Sequence, residues 1–140
     1  MLRLSRRIEY ALLALQYLAR RRRVSSVREI AHVYHLSPEF LAKVLQQLCR
    51  AGIVHAQHGV RGGYVLLHPP QSLTLATIIE AVEDSWTGLV ECRTEPNQCV
   101  LFPHCTIRRP LSVLEDRFRA VLESTTLAEL VEHTEAQPTA

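Results

Sequence analysis

With 140 residues, 47% hydrophobic and 21% charged, the chain has the make-up of one ordinary globular domain able to bury a core. No apolar run approaches the roughly 18–20 residues needed to span a bilayer, and Met1-Leu2-Arg3-Leu4-Ser5 lacks the apolar stretch and cleavage site of a secretory signal. A cytoplasmic protein with no membrane partner is expected, in a reducing compartment that keeps its four cysteines as thiols. The net charge of +2 hides an asymmetry: residues 1–68 carry +8 and residues 69–140 carry −6. A basic half favours contact with polyphosphate and an acidic half is repelled by it.

In chain order, Ile8, Ala11, Leu12, Leu15 and Leu18 recur at helical spacing, which predicts an amphipathic helix from residue 5 to about 22. Ser5 is its N-cap, and the run Arg20-Arg21-Arg22-Arg23 ends it, either as a solvated cap that suits the helix dipole or as a phosphate contact. Ser26-Val27-Arg28-Glu29 reads as a capping box opening a second helix to about Tyr34. After a turn at His35-Leu36, Ser37-Pro38 supplies an N-cap and a helix-start proline for a third helix to about Ala51, with Gly52 closing it. Ile53–Gln57 and Tyr64–Leu67 flank the Gly-rich stretch His58-Gly59-Val60-Arg61-Gly62-Gly63 and read as a hairpin. Thr74 caps a helix over about 75–83, residues 84–107 read as a loop, and a further helix runs to about 123. That helix carries the stripe Leu111, Leu114, Phe118, Val121 and Leu122, suited to a twin helix from another subunit or to packing in cis. A short helix opens at Thr125-Thr126-Leu127, and the tail from 134 to 140 is expected to be loose.

The expected fold is mainly α with a small β-hairpin. Residues 1–68 form a winged helix-turn-helix; residues 69–133 hold the cysteine loop, a dimerisation helix and its neighbours. In such a unit the third helix enters the major groove, which nominates Ser37, Glu39, Lys43 and Gln46, with Gln47 further along. At the wing tip, Arg61 suits the narrow minor groove and His58 stands beside it. The expected partner is therefore a double-stranded DNA operator. No phosphate-cradling glycine loop ahead of a helix, metal-hydrolase pair or nucleophile–base arrangement is present, so no enzyme is expected.

Cys92, Cys99 and Cys105 fall within 14 residues. Structural zinc sites usually show close cysteine pairs, which are missing, and wider-spaced thiolates on one loop suit an iron–sulfur cluster better. Three cysteines leave one ligand to be found. Thiol chemistry without a cluster, or zinc, is the competing class. Cys49, beside the apolar Leu48, reads as a small core filler.

From Leu4 to about Val131 the chain resembles the iron–sulfur winged-helix regulators, the family of NsrR and IscR. The resemblance is carried by Leu4-Ser5 through Glu9-Tyr10-Ala11-Leu12, Val33-Tyr34-His35-Leu36-Ser37, Gly59-Val60-Arg61-Gly62-Gly63-Tyr64, Ile78–Glu83, the three cysteines, and Thr126-Leu127-Ala128-Glu129-Leu130. It implies a dimeric repressor whose Cys92, Cys99 and Cys105 bind a cluster, 4Fe–4S ahead of 2Fe–2S. The IscR-like pattern places a histidine ligand where this chain has Arg108. The NsrR-like pattern uses a carboxylate near the start of the first helix, contributed by the other subunit, and Glu9 matches it. The NsrR branch, with nitric oxide as its signal, is thus the better match. Two departures stand out: Glu9 replaces the more usual aspartate, and His58 stands where many relatives have arginine.

Overall fold

The structure, a computed structural model, describes residues 3–83, 88–89 and 99–133. Helix α1 spans Arg6–Arg21. Ser5 opens it, its hydroxyl accepting from the Ile8 amide at 3.2 Å. Arg22 closes it in the left-handed conformation (φ 54°), returning its amide to the Leu18 carbonyl. Helices α2 (Val27–Tyr34) and α3 (Pro38–Arg50) follow, joined by His35, also left-handed at φ 54°. Ser37 caps α3 as expected, with Pro38 in its first turn.

The expected capping box on α2 is only half formed. Ser26 Oγ accepts from the Glu29 amide at 3.0 Å, but the Glu29 carboxylate turns away. It takes the Tyr17 hydroxyl at 2.6 Å and both Arg23 guanidinium nitrogens at 3.1 Å. A guanidinium and a phenol are stronger partners for a carboxylate than one backbone amide, so the long-range arrangement prevails.

Strands β1 (Val54–Gln57) and β2 (Gly63–Leu66) pair antiparallel, with Val54 opposite Leu66 and Gln57 opposite Gly63. Ser25, between α1 and α2, extends this hairpin: it exchanges two 2.9 Å backbone hydrogen bonds with Tyr64. The wing is thereby tied to the helical body instead of hanging from its own turn. The approach is so close that a Cβ on Gly63 would lie 2.3 Å from the Ser25 carbonyl oxygen.

After a helical turn at Pro70–Ser72 come α4 (Leu75–Val82), α5 (Arg108–Ser124) and α6 (Leu127–Glu132). One core runs through both halves: Leu15, Leu41, Leu45, Leu48, Ile78 and Leu127 are fully buried in it. Burying each such side chain contributes about 1.5–3 kcal/mol. Helix α6 is stitched to the entry of α4 by Leu75 N to Thr125 O (2.9 Å) and Leu127 N to Leu73 O (2.8 Å). Helix α5 differs from the rest. Its Leu114 (41%), Phe118 (39%) and Val121 (59%) stay exposed, and its one buried residue is Glu115. Among the described residues no helix is long and apolar enough to cross a membrane.

Candidate nucleic-acid interface and cysteine loop

Helix α3 divides by period. Leu41, Val44, Leu45 and Leu48 face the core, while Glu39, Lys43 and Gln46 lie exposed along the opposite side, with Gln47 half-buried. Ser37 is exposed, but its hydroxyl is already engaged: it accepts from the Phe40 amide at 3.4 Å and donates to the Glu39 carboxylate at 3.2 Å. Its backbone amide donates to the Tyr10 hydroxyl at 3.1 Å. The face offers two acceptors and a cation at one helix start, a set able to bond base edges and phosphate.

His58 and Arg61 stand exposed in the turn between β1 and β2, with Val60 projecting fully between them. Gly62 is needed there, since a Cβ would meet the Gln57 carbonyl oxygen at 2.4 Å. Burial pushes the Tyr64 phenol of β2 up, and charge on Cys49 of α3 adds to the effect. Cys49 is half-buried against the core, as expected of a small filler.

The arginine run at the end of α1 splits its duties. Arg21 lies over the Tyr17 ring at 5.1 Å, Arg23 pairs with Glu29, and Arg20 and Arg22 are exposed. Burial tends to raise the Glu29 carboxyl, but hydrogen bonds from Tyr17, Arg23 and Ser25 outweigh it and hold it below the usual carboxylate range.

Glu9 sits exposed in the first turn of α1, paired with Arg6 at 3.2 Å. An exposed pair of this kind is weak and easily exchanged for another partner. The same turn is clamped onto the end of α4: the Ser5 hydroxyl donates to the Glu83 carboxylate, and the Arg7 guanidinium to the Val82 carbonyl at 3.2 Å. The chain leaves for the cysteine loop at that point.

Cys92 lies outside the described residues. Cys99 and Cys105 are free, half-buried thiols on either side of a helical turn at Phe102–His104. That turn is held by Phe102 N to Cys99 O and His104 N to Leu101 O, each 3.1 Å. Arg108, which stands where an IscR-like chain has histidine, stacks over the Phe102 ring at 4.4 Å and so braces the turn against α5. His104 is exposed beside Cys105. Among the described residues no three His, Cys, Asp or Glu side chains converge on one metal position. Two free thiols and an exposed carboxylate are nonetheless the donor chemistry that an iron–sulfur group takes.

Sequence reasoning missed two residues of this region. Buried Glu115 accepts the Leu89 amide at 3.1 Å, and Gly88 (φ 75°) packs so closely on it that a Cβ would meet the carboxylate at 2.7 Å. Gly88 and Leu89 are thus held on α5. Its signal was available: Glu115 shares the helical face of Leu111, Phe118 and Leu122. Tyr10 is the other, an aromatic with a polar tip directly after Glu9.

Comparison with known proteins agrees with this architecture. The family described as "Rrf2: Iron-dependent Transcriptional regulator" matches residues 4–133. The HTH-type transcriptional regulator NsrR of Shouchella clausii (strain KSM-K16) is 32% identical over 126 residues, 88% of this chain and 84% of its own. CymR, the global cysteine regulator of B. subtilis, superposes with a TM-score of 0.76 at 27% identity, covering 96% of this chain and all of that one. IscR of T. potens superposes with a TM-score of 0.74 over 99% of this chain and 93% of its own, at 23% identity, a likeness of fold alone. The expected winged helix-turn-helix and the family resemblance are both borne out. This chain belongs to the Rrf2 family of iron-dependent transcriptional regulators, DNA-binding proteins and not enzymes.

Proposed function

We propose that this protein is a dimeric repressor whose grip on operator DNA is governed by an iron–sulfur cluster that senses nitric oxide or redox state. The observation that carries the reading is the pair of free thiols, Cys99 and Cys105, on a folded turn braced by Arg108. The kinship with NsrR supports it. Cys92, Cys99 and Cys105 would supply thiolates and Glu9, from across the dimer, the fourth ligand, to a cluster of 4Fe–4S rather than 2Fe–2S type. A carboxylate binds iron less firmly than a thiolate, so the group would supply one labile corner open to nitric oxide or oxygen.

In this reading residues 1–68 grip DNA and residues 69–133 carry the loop and the dimer contact, with the tail at 134–140 outside both. Glu39, Lys43 and Gln46, with Ser37 at the helix start, face base edges and phosphate; Arg61 and His58 reach from the wing. The exposed Leu114, Phe118 and Val121 of α5 lie against the twin helix of a second copy. Release of Glu9 frees the first turn of α1 and changes the spacing of the two recognition helices, which must match half-sites a helical turn or a multiple apart. Coupling of this kind runs both ways, so operator DNA also protects the bound cluster.

A second reading keeps the regulator and drops the cluster: the free thiols act by disulfide or sulfenate chemistry, or hold zinc. The 27% identity with a cysteine regulator favours keeping it in view. Iron and acid-labile sulfide in anaerobically purified protein separate the two. Cys99→Ala should then give a colourless, folded dimer with weakened operator affinity, and Glu9→Ala a cluster lost faster to nitric oxide. Absence of sulfide under every reconstitution condition leaves only the thiol or zinc reading.

A further inference from the structure

We propose that Tyr10 is the positioning residue that seats the recognition helix on α1 and links that seat to the turn bearing Glu9. The inference deepens the reading above. It needs the winged-helix grip on DNA, and it makes residue-level use of the first turn of α1.

The geometry is local and directional. The Tyr10 hydroxyl accepts the Ser37 amide at 3.1 Å, and its ring meets the Phe40 ring edge-on at 4.9 Å and 85°. Ser37 is the N-cap of α3 and Phe40 its third residue, so one side chain grips the whole first turn of the reading helix. Along its length α3 is held by the buried apolar Leu41, Val44, Leu45 and Leu48, contacts that keep it in place but are non-directional. A hydrogen bond tolerates little displacement, so Tyr10 sets where α3 starts and how it is rotated. Glu39 and Lys43 sit within the next turn, where a shift of about an ångström spoils base-edge geometry.

Tyr10 is also bound to the front of α1. It follows Glu9 directly, and the turn ahead of it is pinned by Ser5 on Glu83 and Arg7 on the Val82 carbonyl. A helix moves as a rigid unit over so short a span, so displacement of that turn carries the Tyr10 hydroxyl away from Ser37.

The test is a double-mutant cycle of Tyr10→Phe and Ser5→Ala on the full dimeric protein, purified without air. Tyr10→Phe keeps the ring against Phe40 and removes the hydroxyl; Ser5→Ala loosens the first turn by deleting its cap. Affinity is measured for a duplex selected from a random library by the wild-type protein, and for a scrambled duplex of equal length. Tyr10→Phe should weaken the selected duplex by about fivefold and leave the scrambled one unchanged. Thermal stability should fall by no more than a few degrees. The effects of the two substitutions on discrimination should be less than additive, because both loosen one linkage. Equal losses on both duplexes, or discrimination equal to wild type, overturn the seat. Strict additivity overturns the link to the first turn. Should the protein hold no iron, the cluster reading fails by itself, while the same cycle on cluster-free protein still decides the role of Tyr10.

Discussion

Replacing Gly63 by alanine should loosen the wing from the helical body and weaken DNA binding together. A Cβ there would stand 2.3 Å from the Ser25 carbonyl oxygen and 2.8 Å from the Ser26 nitrogen, both backbone atoms that cannot rotate aside. Restoring ordinary contact requires β2 to retreat by about an ångström. That movement carries the two 2.9 Å hydrogen bonds between Ser25 and Tyr64 past useful length. At a net value of about 0.5–1.5 kcal/mol each, their loss costs about 1–3 kcal/mol. For a chain of this size the corresponding fall in Tm is about 3–10 °C. Arg61 lies in the turn two residues ahead of the displaced strand, so affinity for a selected duplex should drop at least as far as it does in Arg61→Ala. Thermal melts followed by circular dichroism, with a DNA titration, measure both effects. Val60→Ala, at a fully exposed tip position, serves as the control and should change neither. Wild-type Tm and affinity in Gly63→Ala would refute the claim that the Ser25 bridge supports the wing.

Three further outcomes are expected. Leu114→Glu with Phe118→Glu, both exposed on α5, should turn a dimer into a folded monomer by light scattering; a dimer of unchanged strength would remove α5 from the interface. Glu115→Ala strips the Leu89 amide of its acceptor at a cost of about 1–3 kcal/mol, so that amide should exchange with solvent faster, and Gly88→Ala should do the same by displacing the carboxylate; unchanged exchange in both would break the proposed anchor. Glu29 is held below its ordinary pKa in the folded chain, so its stabilising contribution is present above the unfolded value near about 4.3 and lost as pH falls through the folded value. The Tm gap between wild type and Glu29→Gln should therefore be widest near neutrality and close as the medium is acidified below about pH 5; a gap that widens there contradicts the assignment.

The amino-acid sequence by itself determined where the capped helices start and which face the third one buries. Ser5, Ser26, Ser37 and Thr74 cap the helices they were expected to cap, and the buried positions of α3 follow its apolar period. Caps and periods are interactions between near neighbours, so they survive reading without a third dimension. The tertiary structure alone decided which distant groups meet. Glu29, expected to return to its own cap, is drawn instead to Tyr17 and Arg23 once α1 lies beside α2. Ser25 joins the wing, Tyr10 reaches the start of α3, and Glu115 anchors Leu89 for the same reason: each pairing depends on how rigid elements cross. The cysteine segment carries no period at all, so its residue types announce a chemistry, while its described residues are placed by contacts no period foretells, Leu89 on Glu115 and Phe102 under Arg108.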